Sequence, residues 1–373
     1  VKLAIVGVTG VVGETILRVL DERAVSMTEL GAFASRDRNE PLLYRGTAWP
    51  IRAASPEALR AGGYDAVFFA SSDDASAELA EACAVGGAVV IDNSATFRMH
   101  EGVPLVVPEV NPGAALPEHR IFPVANCTAI VLCVGIAPIA GVAGLAAVRV
   151  ATYQAVSGAG RAGLDALENE ERAAAMASLP AASSSAGSSS AGSSYAGSLF
   201  AGSSSVGVAS ATVSEGSPFV APIFRNVVPK IGSFDEFGDS GEEKKVAEET
   251  RKILDLPGLH VAATTVRVPV RYAHSEAVFL ETQRDTSVEE LAAALAGAPG
   301  VIFHATGVVT PRDVEGQDLV HVARLRAEPG SRRHFQLWIV GDQVRKGAAT
   351  NGVQILELLI ASGRFRTAAH AKN

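Results

Sequence analysis

Val1-Lys-Leu-Ala-Ile-Val-Gly-Val-Thr-Gly-Val-Val-Gly13 carries a short apolar strand into glycines at 7, 10 and 13, and a helical pattern follows at Ile16, Leu17, Val19 and Leu20. Glycines at a strand-to-helix junction give a tight turn and let backbone N–H groups approach a pyrophosphate at the helix start. The spacing is one residue off the commonest dinucleotide form, so the position of the loop carries more weight than the triplet itself. Gly7, Thr9, Gly10, Val11, Val12 and Gly13 are therefore candidate cofactor-binding residues. Residues 29–34 read as the second strand, and Ser35 and Arg36 follow it. An acidic residue there would bind the ribose 2′-OH of NAD, whereas an arginine suits the 2′-phosphate of NADP. A solvated loop charge is the plainer reading of Arg36 alone.

Working outward, residues 64–70, 88–92 and 103–107 read as strands, with an alanine-rich helix at 74–85 ended by Gly86-Gly87. Alternation of this kind predicts a parallel, doubly wound sheet: an α/β fold whose first part is a Rossmann-type NADP-binding domain. After residue 139 the pattern changes. Strand-like stretches at 148–156, 261–270, 273–282, 319–325 and 336–340 predict a mixed α+β second domain. The expected division is residues 1–125 for the nucleotide, completed by a C-terminal helix within 346–373, and 126–345 for catalysis and dimerisation. A Ser/Gly-rich insertion at about 181–217 interrupts the second part. It holds a five-residue repeat from Ser183 to Gly207 with too little apolar area to offset the entropy of ordering. A flexible surface insertion is the first reading of it; an interface arm anchored by Tyr195, Leu199 and Phe200 is the second.

Composition narrows the function. The 373 residues are 48% hydrophobic and carry a net charge of −8, which argues against nucleic acid as a partner. An uncharged run at 129–148 has the length of a membrane span, but Gly135, Pro138, Gly141 and Gly144 interrupt it, so a buried helix followed by a turn is expected and no membrane partner. Cys83, Cys127 and Cys133 are too few and scattered for a disulfide framework, and no Cys/His cluster has metal-ligand spacing. A reducing, cytoplasmic setting and no metal are expected.

Cys127 lies in Pro123-Val-Ala-Asn-Cys-Thr-Ala-Ile130, read as strand, short loop, helix. At a helix start the dipole and free amides favour a thiolate, the nucleophilic form. A buried structural cysteine is the commoner fate of a lone thiol. Further on, Gln154 stands in a strand before a glycine turn, and Arg267 and His274 are polar residues among strand-like apolar ones. Singly, these read as a solvated arginine and a satisfied core histidine. Together, a thiol, an amide, an arginine and a histidine are the parts of acyl transfer to a carboxylate-bearing substrate: the thiol attacks, the imidazole moves protons, and the guanidinium grips the carboxylate.

With Ile91-Asp-Asn-Ser-Ala-Thr-Phe-Arg98, Val106-Val-Pro-Glu-Val-Asn111, Asn126-Cys-Thr128, Tyr153-Gln-Ala-Val-Ser-Gly158, Asn226-Val-Val-Pro229, Arg267-Val-Pro-Val270, His274-Ser-Glu276 and Arg345-Lys-Gly-Ala-Ala349, the chain resembles the bacterial aspartate-semialdehyde dehydrogenases over nearly its whole length outside the repeat. The resemblance implies NADPH-dependent reductive dephosphorylation of L-aspartyl-4-phosphate through a thioester, in the biosynthesis of lysine, threonine, methionine and diaminopimelate. It implies Cys127 as nucleophile, His274 as general acid/base and Gln154 orienting the intermediate. Arg267 would bind the α-carboxylate and Glu242 the amino group, while Arg98, Asn126 and Lys245 would hold phosphate. Ser157, Gly158, Gly160 and Gln343 would lie by the cofactor, and the assembly would be a homodimer or homotetramer. Ala273 and Gln343 depart from the family pattern, which has glycine and asparagine there. N-acetylglutamyl-phosphate reduction and a non-catalytic NADP-binding role remain the alternatives.

Overall fold

A computed structural model of the chain describes residues 1–177 and 216–365. The Ser/Gly repeat, with Tyr195, Leu199 and Phe200, lies outside the described residues, as does the end of the 346–373 segment.

The first half alternates as its sequence predicts: β1 (Lys2–Val6), α1 (Val11–Glu22), β2 (Glu29–Ala34), a small hairpin of β3 (Leu42–Tyr44) and β4 (Thr47–Trp49), β5 (Ile51–Ala53), α2 (Pro56–Gly62), β6 (Ala66–Phe69), α3 (Asp73–Val85), β7 (Val89–Asp92) and β8 (Ile121–Pro123). Strands β5-β2-β1-β6-β7-β8 pair in that order, all parallel. Both faces are covered, so β6 and β7 are buried at every position, which is why they read as unbroken apolar runs. The strand expected at 103–107 is absent. Leu105, Val106 and Val107 are buried but run outside the ladder, and β8 takes the edge beside β7. Apolar composition marked burial there, not pairing.

The second half is built on α4 (Cys127–Ala143), β9 (Leu145–Gln154), α5 (Gly160–Ala177), α6 (Gly241–Ile253), β10 (His260–Arg267), β11 (His274–Thr282), α7 (Val288–Ala296), β12 (Val301–His304), α8 (Pro311–Val314), β13 (Val320–Ala327) and β14 (His334–Gly341). Its sheet runs β10-β9-β11-β14-β13-β12 and mixes parallel and antiparallel pairs. The apolar run at 129–148 splits at Gly144, whose φ of +64° lets the chain leave α4 and enter β9. Among the described residues no helix is long and apolar enough to cross a membrane. After β14 the chain makes a π-turn at Arg345–Ala349, and α9 (Thr350–Ala361) packs back on α1 and β7.

Candidate active site

Three neighbouring strands bring the predicted polar residues to one end of the second sheet. Arg267 ends β10 directly beside Gln154 at the end of parallel β9, and His274 opens antiparallel β11 on the other side of β9. The helix start of α4 closes the site. Asn126 caps it, its Oδ1 accepting from the N–H groups of Thr128 and Ala129, so Cys127 is the first helical residue. The Cys127 Sγ lies 3.6 Å from His274 Nε2.

The fourth wall is α6. Ser240 and Glu243 form a capping box there, and Glu243 Oε1 also accepts the Thr265 N–H, which ties the helix start to β10. Glu242, Lys245 and Glu249 then fall on one face, at spacings of three and four residues. Glu242 is buried and its Oε1 accepts from Asn126 Nδ2 at 3.0 Å and Gln154 Nε2 at 3.2 Å. Glu249 accepts the Asn126 N–H at 2.5 Å and pairs with Arg98 Nη1 at 3.2 Å. Arg98 is further held by the Asn93 carbonyl, while its buried Nε has no partner.

One cleft of about 300 Å³ is lined by Val12, Arg98, Asn126, Cys127, Gln154, Ser157, Gly158, Glu242, Lys245, Arg267 and Gln343, with His274 and Glu249 buried behind it. Val12 stands in the first turn of α1, just after the glycine loop, so the cleft reaches both sheets. Of the other predicted residues, Gly7, Thr9 and Gly10 lie along that loop, Val11 and Gly13 in the first turn of α1, and Ser35 and Arg36 are exposed just past the end of β2. The loop fits a pyrophosphate. A side chain at Gly7 would come within 2.2 Å of the Ala70 carbonyl, and one at Gly13 within 2.3 Å of the Gly7 carbonyl. Gly10 caps α1 without a side-chain bond, which leaves the first N–H groups of that helix open to a ligand. Asp37, the nearest acidic residue after β2, is engaged by the Ala53 N–H.

One expectation changes. The helix start does not make Cys127 a thiolate. Loss of water around the sulfur, then the Glu242 charge, outweigh Arg267 and Arg98 and push the thiol up to about 12. Gly158 lines the cleft, and a side chain there would come within 2.5 Å of Arg267 Nη1 and 3.2 Å of the His274 ring. Gly160 lies outside the cleft lining, and its φ of +69° turns the chain into α5. His274 is fully buried, and desolvation, then Arg267, holds its imidazole well below the ordinary range and therefore neutral.

Ala273 and Gln343 meet. Ala273 has a φ of +67°, a left-handed conformation that costs a non-glycine residue about 1–2 kcal/mol. Its buried N–H donates to Gln343 Oε1 at 2.8 Å, and Gln343 Nε2 donates to Ser157 Oγ, which donates to the Arg271 carbonyl.

Sequence reasoning missed Glu249 and the backbone of Ala155. Glu249 had a signal: it lies seven residues beyond Glu242, on the same helical face. Ala155 had none, since its peptide group works through geometry alone. Its N–H donates to His274 Nδ1 at 3.0 Å, and its carbonyl accepts from Arg267 Nη1 at 2.7 Å.

Comparison with known proteins agrees with this arrangement. Residues 2–116 match the family model for the semialdehyde dehydrogenase NAD binding domain, and residues 136–346 match that for the semialdehyde dehydrogenase dimerisation domain. An aspartate-semialdehyde dehydrogenase of Aquifex aeolicus is 37% identical, covering 97% of this chain and 98% of its own. Aspartate-semialdehyde dehydrogenase 2 of Vibrio cholerae is also 37% identical, covering 96% and 97%. A crystal structure of aspartate semialdehyde dehydrogenase II from Vibrio cholerae, complexed with ASA, superposes with a TM-score of 0.82 at 34% identity, covering 96% of this chain and 98% of that one. The chain belongs to the aspartate-semialdehyde dehydrogenase family.

Proposed function

We propose that this chain reduces L-aspartyl-4-phosphate to L-aspartate-4-semialdehyde, with release of phosphate, in the biosynthesis of lysine, threonine, methionine and diaminopimelate. The observation that carries the reading is that Glu242 and Arg267 line one cleft with the Cys127 thiol, whose sulfur lies 3.6 Å from the buried His274 imidazole. An α-amino acid presents an ammonium and a carboxylate, and these two side chains complement both. In this reading Cys127 attacks the acyl carbon and holds it as a thioester, and His274 is the acid–base partner of the sulfur. Gln154, fixed by Glu242, orients the intermediate. The Cys127 N–H, at the start of α4, is a donor for the developing oxyanion. Arg98, Asn126 and Lys245 receive the phosphate, and Asn126 also holds Glu242 and the helix start in register. Holding the carbonyl at attack distance from the thiol supplies much of the rate.

A nicotinamide cofactor bound across Gly7 to Gly13 supplies the hydride. Arg36 has no partner among the described residues and is free to meet a 2′-phosphate, which supports NADP over NAD. Ser157, Gly158 and Gln343 form the wall between that site and His274. The division into a nucleotide-binding part, 1–125 with 346–373, and a catalytic and dimerisation part, 126–345, follows the two sheets and the return of α9 to α1. A homodimer or homotetramer in the cytoplasm completes the proposal.

The alternative substrate, N-acetylglutamyl phosphate, has no free amino group and would leave Glu242 buried without its counter-charge. Phosphate-dependent oxidation of the two semialdehydes, each with NADP and with NAD, tests the reading. Aspartate semialdehyde with NADP is expected to be turned over fastest, by at least about tenfold, since one unmatched buried charge costs more than 1.4 kcal/mol. Equal or faster use of N-acetylglutamate semialdehyde would overturn the substrate assignment, and a preference for NAD would overturn that of the cofactor.

A further inference from the structure

We propose that Ala273 and Gln343 form a clamp on His274: Gln343 is a positioning residue that, through the Ala273 N–H, holds the imidazole at the sulfur of Cys127. The inference rests on the reading of His274 as the acid–base partner of that sulfur and identifies what aims it. Ala273 immediately precedes His274, and its φ of +67° lies in the region that only glycine enters without strain. A strained backbone persists only where its surroundings hold it. Two contacts do so here. The Ala273 methyl is buried in a cluster with Val309, Val314, Ala323 and Val340, and its N–H donates to Gln343 Oε1 at 2.8 Å.

The bonds around Gln343 run one way, which fixes the orientation of its amide. A backbone N–H only donates, so the atom facing Ala273 is the amide oxygen. The amide nitrogen then donates to Ser157 Oγ. That hydroxyl passes its hydrogen to the Arg271 carbonyl, which also accepts the Ser157 N–H at 3.2 Å. Each end of this chain is anchored. Ser157 follows β9, where the Val156 N–H donates to the Val270 carbonyl at 2.8 Å. Gln343 follows β14, whose Gly341 stands opposite His274, and Asp342 Oδ1 fixes its turn by accepting the N–H groups of Val344 and Arg345. One buried side chain thus ties the ends of β9 and β14 to the start of β11, where the imidazole is mounted.

The length of the side chain matters. Asparagine at 343 would end its amide one carbon–carbon bond, about 1.5 Å, short and leave the Ala273 N–H without its acceptor. Alanine would then relax out of the left-handed region, and the peptide it turns is the one that carries His274. Glycine at 273 has no such reason to move, since a positive φ strains it little. The two positions are therefore coupled: a shorter amide harms catalysis only when residue 273 is alanine.

Phosphate-dependent NADP reduction with aspartate semialdehyde, measured for the wild type, Gln343→Asn, Ala273→Gly and the double variant, tests the clamp. Gln343→Asn should lower kcat by about thirtyfold while the KM values for aspartate semialdehyde and NADP stay within about threefold of the wild type. Made in the Ala273→Gly protein, the same change should lower kcat by no more than about threefold. The coupling is then about tenfold, or 1.4 kcal/mol. Equal kcat losses in the two backgrounds would overturn the clamp. So would a rise in the KM for NADP that is the same in both, which would make Gln343 a plain cofactor contact. Amide hydrogen exchange in the ligand-free protein is the second measurement and needs no turnover. Exchange at Ala273 should be at least about tenfold faster in Gln343→Asn than in the wild type, with Val278 in the middle of β11 unchanged. Val278 exchange that quickens as much as that of Ala273 would show a general loosening and refute the positioning role. A wild type that does not turn over aspartate semialdehyde would defeat the reading of the site and this proposal with it, whereas additive losses in an active enzyme defeat the proposal alone.

Discussion

At the scale of single residues, Cys127 combines a helix start with a setting that keeps its proton on. Burial of the sulfur, then the nearby Glu242 charge, raise the thiol against the opposing Arg267 and Arg98 charges. A thiol with its ionisation near 12 reacts with an alkylating agent in proportion to its small thiolate fraction. The rate of Cys127 alkylation by iodoacetamide in the ligand-free enzyme should therefore climb about tenfold per pH unit from about pH 6 to about pH 10. A plateau near the ordinary thiol range would mean that the helix start wins after all. Cys127, Gln154, Arg267 and His274 were legible in the sequence because each is a chemically distinctive residue in a stretch that otherwise reads as strand or helix. The charge state of Cys127 was not, because it depends on Glu242, which lies 115 positions further along the chain. The contact that positions His274 was hidden for a similar reason: the Ala155 N–H at its Nδ1 has no side-chain signature.

Among the elements, the π-turn after β14 shows how a buried charge holds a site. Lys346 is completely buried and donates to Glu109 Oε2 at 2.5 Å, Asn351 Oδ1 at 3.1 Å and Gln354 Oε1 at 2.7 Å. Desolvation lowers its pKa. Burial pushes Glu109 up, but Lys346 and Gln354 reverse this and leave its pKa lowered. The pair fixes Gly347 so close to Cys127 that an added side chain would come within 2.8 Å of the Cys127 Cβ. Lys346→Met should destabilise the protein by about 3–5 kcal/mol in urea unfolding, since it strands Glu109, and Lys346→Met with Glu109→Leu should recover part of that loss. Equal stability of the single variant and the wild type would show that the ion pair does not hold the turn. The sequence put 346–360 in a helix and gave no hint that its first turn is a π-turn around a buried ammonium. Periodicity reports which face is apolar, and a buried lysine contributes nothing to that pattern. The strand wrongly expected at 103–107 has the complementary cause: apolar residues mark burial without saying what the backbone pairs with.

For the whole molecule, the described residues cover one face of the second sheet and leave aromatic side chains of the other partly exposed. His274, Glu276, Val278 and Leu280 of β11 point into the layer beneath α4, while Phe279 on the opposite face is 41% exposed. Tyr153, also 41% exposed, packs at a tilt against Trp338 with ring centroids 5.5 Å apart, and Arg149 is exposed along the same strand. Such a sheet face matches the dimerisation domain that residues 136–346 represent. Phe279→Lys should lower the oligomer state in light scattering at micromolar concentration; an unchanged mass would place the interface elsewhere. The two-sheet plan was readable because alternation and strand-rich composition report fold class directly, whereas strand order β10-β9-β11, which assembles Gln154, Arg267 and His274, emerges only from long-range pairing. The central claim is that Cys127 accepts the acyl group. It is tested most directly by phosphate-dependent NADP reduction with aspartate semialdehyde in Cys127→Ser, with Cys133→Ser as the companion. Cys127→Ser should lose about 10³-fold or more in kcat while keeping its affinity for NADP, and Cys133→Ser should turn over at close to the wild-type rate. Near-normal turnover in Cys127→Ser would contradict the account.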